Sequence, residues 1–184
     1  MVDGSSSVEY YGKYNFQMIK DFMKNLTRSF NVSSYGTRVG VVVYSTNSTV
    51  AFTLDQYTST EKVEEAIDNV VYPSGGTYTG KALHLAANNL FNDTVVRGNI
   101  PKVLVLLTDG VSTDDVTQPA VLLANKDVIV FVLAIGQNID YSQLTQIAHG
   151  QSEHVYRAEF TSLGFVKNEI RGAICSGKLI CNPC

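Results

Sequence analysis

Two uninterrupted apolar runs, residues 103–107 and 128–135, constrain the fold more than any other feature of this chain. A strand with one wet face alternates apolar and polar side chains. A strand with no polar position is covered on both faces, the condition of a parallel sheet held between helices. Residues 38–45, built around Val39-Gly40-Val41-Val42-Val43-Tyr44, read as a third buried strand, β-branched, aromatic and too short for a typical helix. Elsewhere the period changes. Phe16, Ile19, Met23, Leu26 and Phe30 mark one face of a helix over 14–30, with Lys13, Lys20, Asp21 and Lys24 on the wet side.

The same spacing predicts helices over 61–71, opened by the hydroxyls of Thr58-Ser59-Thr60, and over 79–91, 116–125 and 141–148. Leu163, Val166, Ile170 and Ile174 trace a last one. Short strands are expected at 49–54 and 154–158, the first joined to 38–45 through Ser45-Thr46-Asn47-Ser48 as an antiparallel edge hairpin, and 92–100 reads as a polar surface connection. Strands and helices alternate, which implies right-handed crossovers. The expected fold class is α/β: a doubly wound, mainly parallel six-stranded sheet with one antiparallel edge strand and helices on both faces. Six strands are too few for an eight-stranded barrel.

With 184 residues, 45% of them apolar, the chain is the size of one domain with a substantial core. A net charge of −3 and a charged fraction of 17% give no footprint for nucleic acid or an anionic membrane surface. No apolar run approaches the ~20 residues of a spanning helix, so no membrane insertion is expected. Signatures such as G-x-S-x-G, the P-loop, G-x-G-x-x-G and H-E-x-x-H are missing, and His84, His149 and His154 lie scattered without ligand spacing. The chain does not read as an enzyme.

Three polar stretches carry the chemistry. Asp3-Gly4-Ser5-Ser6-Ser7 sets three oxygen donors at alternate positions, Gly75-Gly76-Thr77-Tyr78-Thr79-Gly80 sets hydroxyls at the entrance to a helix, and the run at 103–107 ends in Thr108-Asp109-Gly110. Each alone is turn chemistry. In an open α/β sheet, however, ligands bind outside the carboxyl ends of the strands where strand order reverses, and all three loops can meet there. Two carboxylates and three hydroxyls, with no His or Cys, suit Mg²⁺ (or Mn²⁺) better than zinc.

The order of these three motifs resembles the von Willebrand factor type A domain with its metal-ion-dependent adhesion site, over nearly the whole chain. The resemblance implies that Asp3, Ser5, Ser7, Thr77 and Asp109 fill the five positions of that site. It implies direct ligation by the hydroxyls of Ser5, Ser7 and Thr77, with Asp3 and Asp109 acting mostly through water or at longer range. Neutral direct ligands leave the ion electrophilic, so an acidic residue of a partner can complete its sphere. The implied function is an extracellular, divalent-cation-dependent adhesion or matrix module, its partner a protein with an exposed acidic residue, collagen or another matrix protein. The alternative is a structural matrix-assembly module whose metal site only stabilises loops. Tyr10, Tyr11, Tyr78 and Asp114 form the candidate rim, although the tyrosines could equally cover the core edge. Thr79 reads as a cap or first-turn residue, and Asp114 and Asp115 also read as solvated acids capping the next helix.

Sequons at Asn25, Asn31, Asn47 and Asn92 and the cysteines Cys175, Cys181 and Cys184 favour an extracellular, secreted or ectodomain location over the intracellular type A branch. Cysteines clustered beyond the last helical pattern read as a disulfide-bearing boundary, since a zinc site would lack a fourth ligand. In extracellular members of the resembled family such a cysteine often pairs with one before the first strand, a position upstream of Met1. The expected organisation is a domain over 1–174, its first strand reduced to Met1-Val2 and so read as truncated, and a Cys-containing boundary to a following module at 175–184 of a larger multidomain chain.

Overall fold

The computed structural model describes residues 1–10, 12–92, 96–97 and 100–176. Its elements in chain order are β1 (Val2–Asp3), α1 (Ser6–Tyr10), α2 (Asn15–Thr27), β2 (Val41–Tyr44), β3 (Ser48–Phe52), α3 (Thr60–Asp68) and α4 (Thr79–Asn89). They continue with β4 (Lys102–Thr108), α5 (Thr117–Ala124), β5 (Val128–Ile135), α6 (Tyr141–Ile147), β6 (Val155–Ala158) and α7 (Leu163–Ser176). The six strands form one sheet in the order β3-β2-β1-β4-β5-β6. Every neighbouring pair is parallel except β2 and β3, the antiparallel edge hairpin.

The apolar runs divide between the two faces as a pleat requires. Leu104, Leu106, Val130 and Val132 face Leu83, Ala86, Leu123 and Leu144 of α4, α5 and α6. Leu107, Leu133 and Ile135 face Ile19, Phe22, Val63, Ile67 and Ile170 of α2, α3 and α7. Both cores are fully or nearly fully buried. The sheet is therefore a wall between two apolar compartments, and β1 lies at its centre, with β2 and β3 to one side and β4 to β6 on the other.

Local chemistry sets where elements begin. α3 opens at Ser59, whose hydroxyl accepts from the Lys62 amide at 3.4 Å, as the hydroxyl run implied. α1 was not foreseen, since five residues are too few to show a helical period. α2 starts after Tyr14, which has a φ of 75° and offers no side-chain cap. The carboxylate of Glu9 takes over, accepting from the amides of Tyr14 and Phe16 at 2.8 Å each. Asn25, Asn31 and Asn47 are exposed, whereas Asp93 and Thr94 of the fourth sequon lie outside the described residues. Cys175 stands in the last turn of α7, and Cys181 and Cys184 are also outside them. Among the described residues no helix is long and apolar enough to cross a membrane.

β1 is two residues long, paired to β2 at Val2↔Val43 and Asp3↔Tyr44 and to β4 at Val2↔Leu107. Its start carries a cost. The Met1 ammonium donates to the Val105 carbonyl at 2.8 Å, and burial pushes its pKa from 8.0 down to about 5. Beside it a cavity of about 260 Å³ is lined by apolar side chains including Met1, Phe22, Leu26, Val41, Leu104 and Ile174. Extending the chain upstream of Met1 by four apolar, β-branched residues replaces the buried amine with a peptide and, in the Val2↔Leu107 register, continues β1 alongside β4. The extended chain is expected to melt several degrees higher by calorimetry, about 1–3 kcal/mol for each large apolar side chain buried. Equal melting temperatures would contradict this.

Candidate metal centre

Three loops converge at the carboxyl ends of β1 and β4, where the strand order reverses. The β1 loop carries Asp3, Ser5 and Ser7, the loop before α4 carries Thr77, and Asp109 directly follows β4. The Ser5 and Ser7 hydroxyls stand 3.0 Å apart, and the Ser7 hydroxyl donates to Asp109 Oδ1 at 2.9 Å. A Cβ built on Gly110 would lie 3.7 Å from Thr77 Oγ1 and 3.9 Å from Ser7 Oγ, so Thr77 reaches the same small volume. All five candidate ligand residues are thus brought together.

Close backbone contacts lock the loops. Gly4 donates to the Tyr44 carbonyl at 2.7 Å, and a Cβ at that position would collide with the Pro73 ring. The Ser6 amide donates to the Gly75 carbonyl at 2.8 Å, and the Gly75 amide returns a bond to the Ser6 hydroxyl at 2.9 Å. The Tyr72 hydroxyl donates to the Ser5 carbonyl at 2.8 Å. Beneath this surface Asp3 is held by donors on every side. Its Oδ1 accepts from the Ser5 amide at 2.9 Å, and its Oδ2 accepts from the hydroxyls of Thr108 at 2.7 Å and Tyr44 at 3.3 Å. Tyr44 accepts in turn from Thr79 Oγ1 at 3.3 Å, which fits the reading of Thr79 as a first-turn residue.

Sequence reasoning missed Tyr44, Tyr72 and Thr108. Tyr44 and Thr108 are the last residues of buried strands, and a polar atom at such a position is the signal that could have found them. Of the rim residues, Tyr10 is 80% exposed, while the Tyr78 ring lies under the Lys81 ammonium at 4.1 Å from its centroid. Tyr11 lies outside the described residues. Asp114 caps a helix other than the one expected of it. Its two oxygens accept from the amides of Gly80 and Lys81 at 2.8 Å each, so it caps α4, not α5, and its acceptors are turned to the protein. Asp115 is the residue that caps α5, accepting from the Thr117 amide at 3.0 Å.

Electrostatics favours a cation here. Burial, and after it the charge of Asp3, raises the Asp109 carboxyl from 3.8 to about 6. Burial also raises Asp3, against the hydrogen bonds that stabilise its ionised form. The five residues offer hydroxyl and carboxylate oxygens and no His or Cys, a hard donor set that fits an oxygen-seeking divalent ion.

The chain belongs to the von Willebrand factor type A domain family, whose model matches residues 1–167. It is 35% identical to the collagen alpha-5(VI) chain of Homo sapiens, over 97% of this chain and 7% of that one. It is 36% identical to vitrin of Bos taurus, over 96% of this chain and 26% of that protein. Proximal thread matrix protein 1 from the mussel byssus superposes with a TM-score of 0.87 at 32% identity, over 95% of this chain and 46% of that structure. The same protein solved with a zinc-occupied MIDAS motif gives 0.88 at 31%, over 95% and 47%. The chain therefore spans less than half of each relative. With a collagen chain and a thread matrix protein among its relatives, the extracellular location expected from the sequence stands.

An acid whose pKa rises on folding holds its extra stability at low pH and loses it as pH climbs, and for Asp109 that window runs from 3.8 to about 6. At neutral pH the metal-free domain thus carries Asp109 as a carboxylate that folding disfavours. Asp109→Asn keeps the acceptor for Ser7 and removes the charge. It is expected to raise the melting temperature in chelator at pH 7 and to abolish the rise that millimolar Mg²⁺ gives the parent. The parent's response should fade as pH falls through 6, because protons compete with metal. A variant that melts lower in chelator and still responds to Mg²⁺ would contradict the assignment.

Proposed function

We propose that this domain is a non-enzymatic adhesion module that binds a matrix protein through Mg²⁺ (or Mn²⁺), the ion accepting an acidic side chain of the partner. The observation that carries the reading is the convergence of Ser5, Ser7, Thr77 and Asp109 at the switch point above a buried Asp3. When bound, the ion supplies a Lewis-acidic coordination position. The chain's own part is to hold the hydroxyls of Ser5, Ser7 and Thr77 as neutral donors, while Asp3 and Asp109 supply charge. The hydrogen bonds already made to both Asp3 oxygens favour a role for it at longer range. Neutral contacts leave positive charge on the ion for a partner carboxylate.

Tyr10, exposed beside the first loop, offers aromatic surface to such a partner. The partner class is a collagen or another matrix protein, in a larger multidomain chain. Cys175 is disulfide-bonded, which supports an oxidising compartment and the disulfide-bearing boundary, and the exposed sequon Asn47 on the β2–β3 turn supports glycosylation. The similarity to a thread matrix protein favours a second reading, in which the domain assembles matrix through other surfaces and the metal steadies the loops.

Immobilised collagen and an acidic peptide series separate the two. The adhesion reading expects binding in millimolar Mg²⁺ that falls at least about tenfold in chelator and in Asp109→Ala, a loss of about 1.4 kcal/mol or more. Equal binding in chelator sinks it, and self-association without metal in sedimentation supports the structural reading.

A further inference from the structure

The first three amides of α4 have no local cap, because Tyr78 offers no side-chain acceptor. Residues of the loop that Asp109 begins take all three. Ser112 Oγ accepts from the Thr79 amide at 3.1 Å, Asp114 Oδ1 from Gly80 at 2.8 Å and Asp114 Oδ2 from Lys81 at 2.8 Å. The Ser112 hydroxyl also donates to Asp114 Oδ1 at 2.6 Å, which ties the two caps together. The same loop grips Thr77, whose carbonyl accepts from the Thr113 amide at 2.8 Å and from the Thr113 hydroxyl at 2.9 Å. The approach is so close that a Cβ on Gly80 would collide with the Asp115 carbonyl. On its far side the loop is anchored to α6, where Gln143 accepts from the Ser112 amide at 2.8 Å and donates to the Ser112 carbonyl at 3.3 Å.

We propose that Asp114 is a positioning residue for the metal centre, setting Thr77 against Asp109 by capping α4 from the Asp109 loop. Thr77 and Asp109 sit on loops from different parts of the chain, and a hydroxyl ligand works only if its loop is held. A carboxylate at a helix N-terminus accepts charge-assisted hydrogen bonds and complements the helix dipole, so this link is stronger than a neutral loop contact. Asp115 provides a natural control, since its carboxylate is spent on α5. The proposal rests on the metal-binding reading, and it makes Asp114 a residue that acts through Thr77, not one that meets the partner.

The test titrates Mn²⁺ alone into the full chain by calorimetry and follows amide hydrogen exchange at Gly80 and Lys81 by NMR, for the parent, Asp114→Ala, Asp114→Asn and Asp115→Ala. Asp114→Ala is expected to weaken Mn²⁺ binding by about tenfold or more, as loss of a ligand's support does, with faster exchange at both amides. Asp114→Asn, which keeps an acceptor for Gly80, should lie between parent and alanine variant, and Asp115→Ala should bind as the parent does. Faster exchange in Asp114→Ala with parental affinity makes the cap merely structural and overturns the proposal. If Asp114→Ala fails to fold, Asp114→Asn decides, parental affinity again overturning it. A parent that binds no Mn²⁺ removes the metal reading itself and the proposal with it, an outcome seen in the first titration.

Discussion

Val2 pairs with both Val43 and Leu107, and this register at the centre of the sheet sets two carboxylates side by side. Asp3 ends β1, Asp109 follows β4, and the adjacent parallel strands bring them to one edge within a buried environment. Two like charges in such a place destabilise the fold unless something positive meets them. The rise of Asp109 to about 6 is desolvation, and after it that repulsion, expressed as a pKa. The surrounding hydroxyls, the capping loop and the glycines that admit close backbone contact hold the pair in place instead of letting it relax apart.

The support is layered by depth. Tyr44, Thr79 and Thr108 form a buried hydroxyl chain around Asp3, so the deepest charge has its acceptors satisfied by protein. Burial, and the charge of Asp3 after it, raises the Tyr44 phenol well above its ordinary value, which keeps it a donor at neutral pH. Ser5, as buried as Asp3, and the less buried Ser7 and Thr77 place their hydroxyls around the shared volume. A domain built this way spends part of its stability on a preorganised site, a familiar exchange in proteins that bind.

The sheet was legible because its strands are buried on both faces: the apolar runs at 128–135 and 102–107 became β5 and β4 almost residue for residue. The five candidate ligand positions were read from motif order, and the loops that carry them meet at one edge of the sheet. What hid were contacts between distant residues. α1 is too short to show a period, and the start of α2 depends on Glu9, which reaches past Tyr14. Asp114 and Asp115 are neighbours with the same side chain, yet one caps a helix far back in the chain and the other the helix just ahead. No local pattern separates them, because the choice is made by how the 110–115 loop packs on α4. The strand expected from residue 38 begins at Val41, where sheet pairing begins, a limit set by the partner strands and not by propensity.

The central claim is that the three loops are arranged around one divalent ion. The most direct measurement is the anomalous difference map of a crystal soaked in Mn²⁺. It should show one peak among Ser5, Ser7 and Thr77, with hydroxyl oxygens at about 2–2.3 Å as hard oxygen ligation requires. A peak elsewhere, or none while the soaked crystal stays intact, would contradict the account.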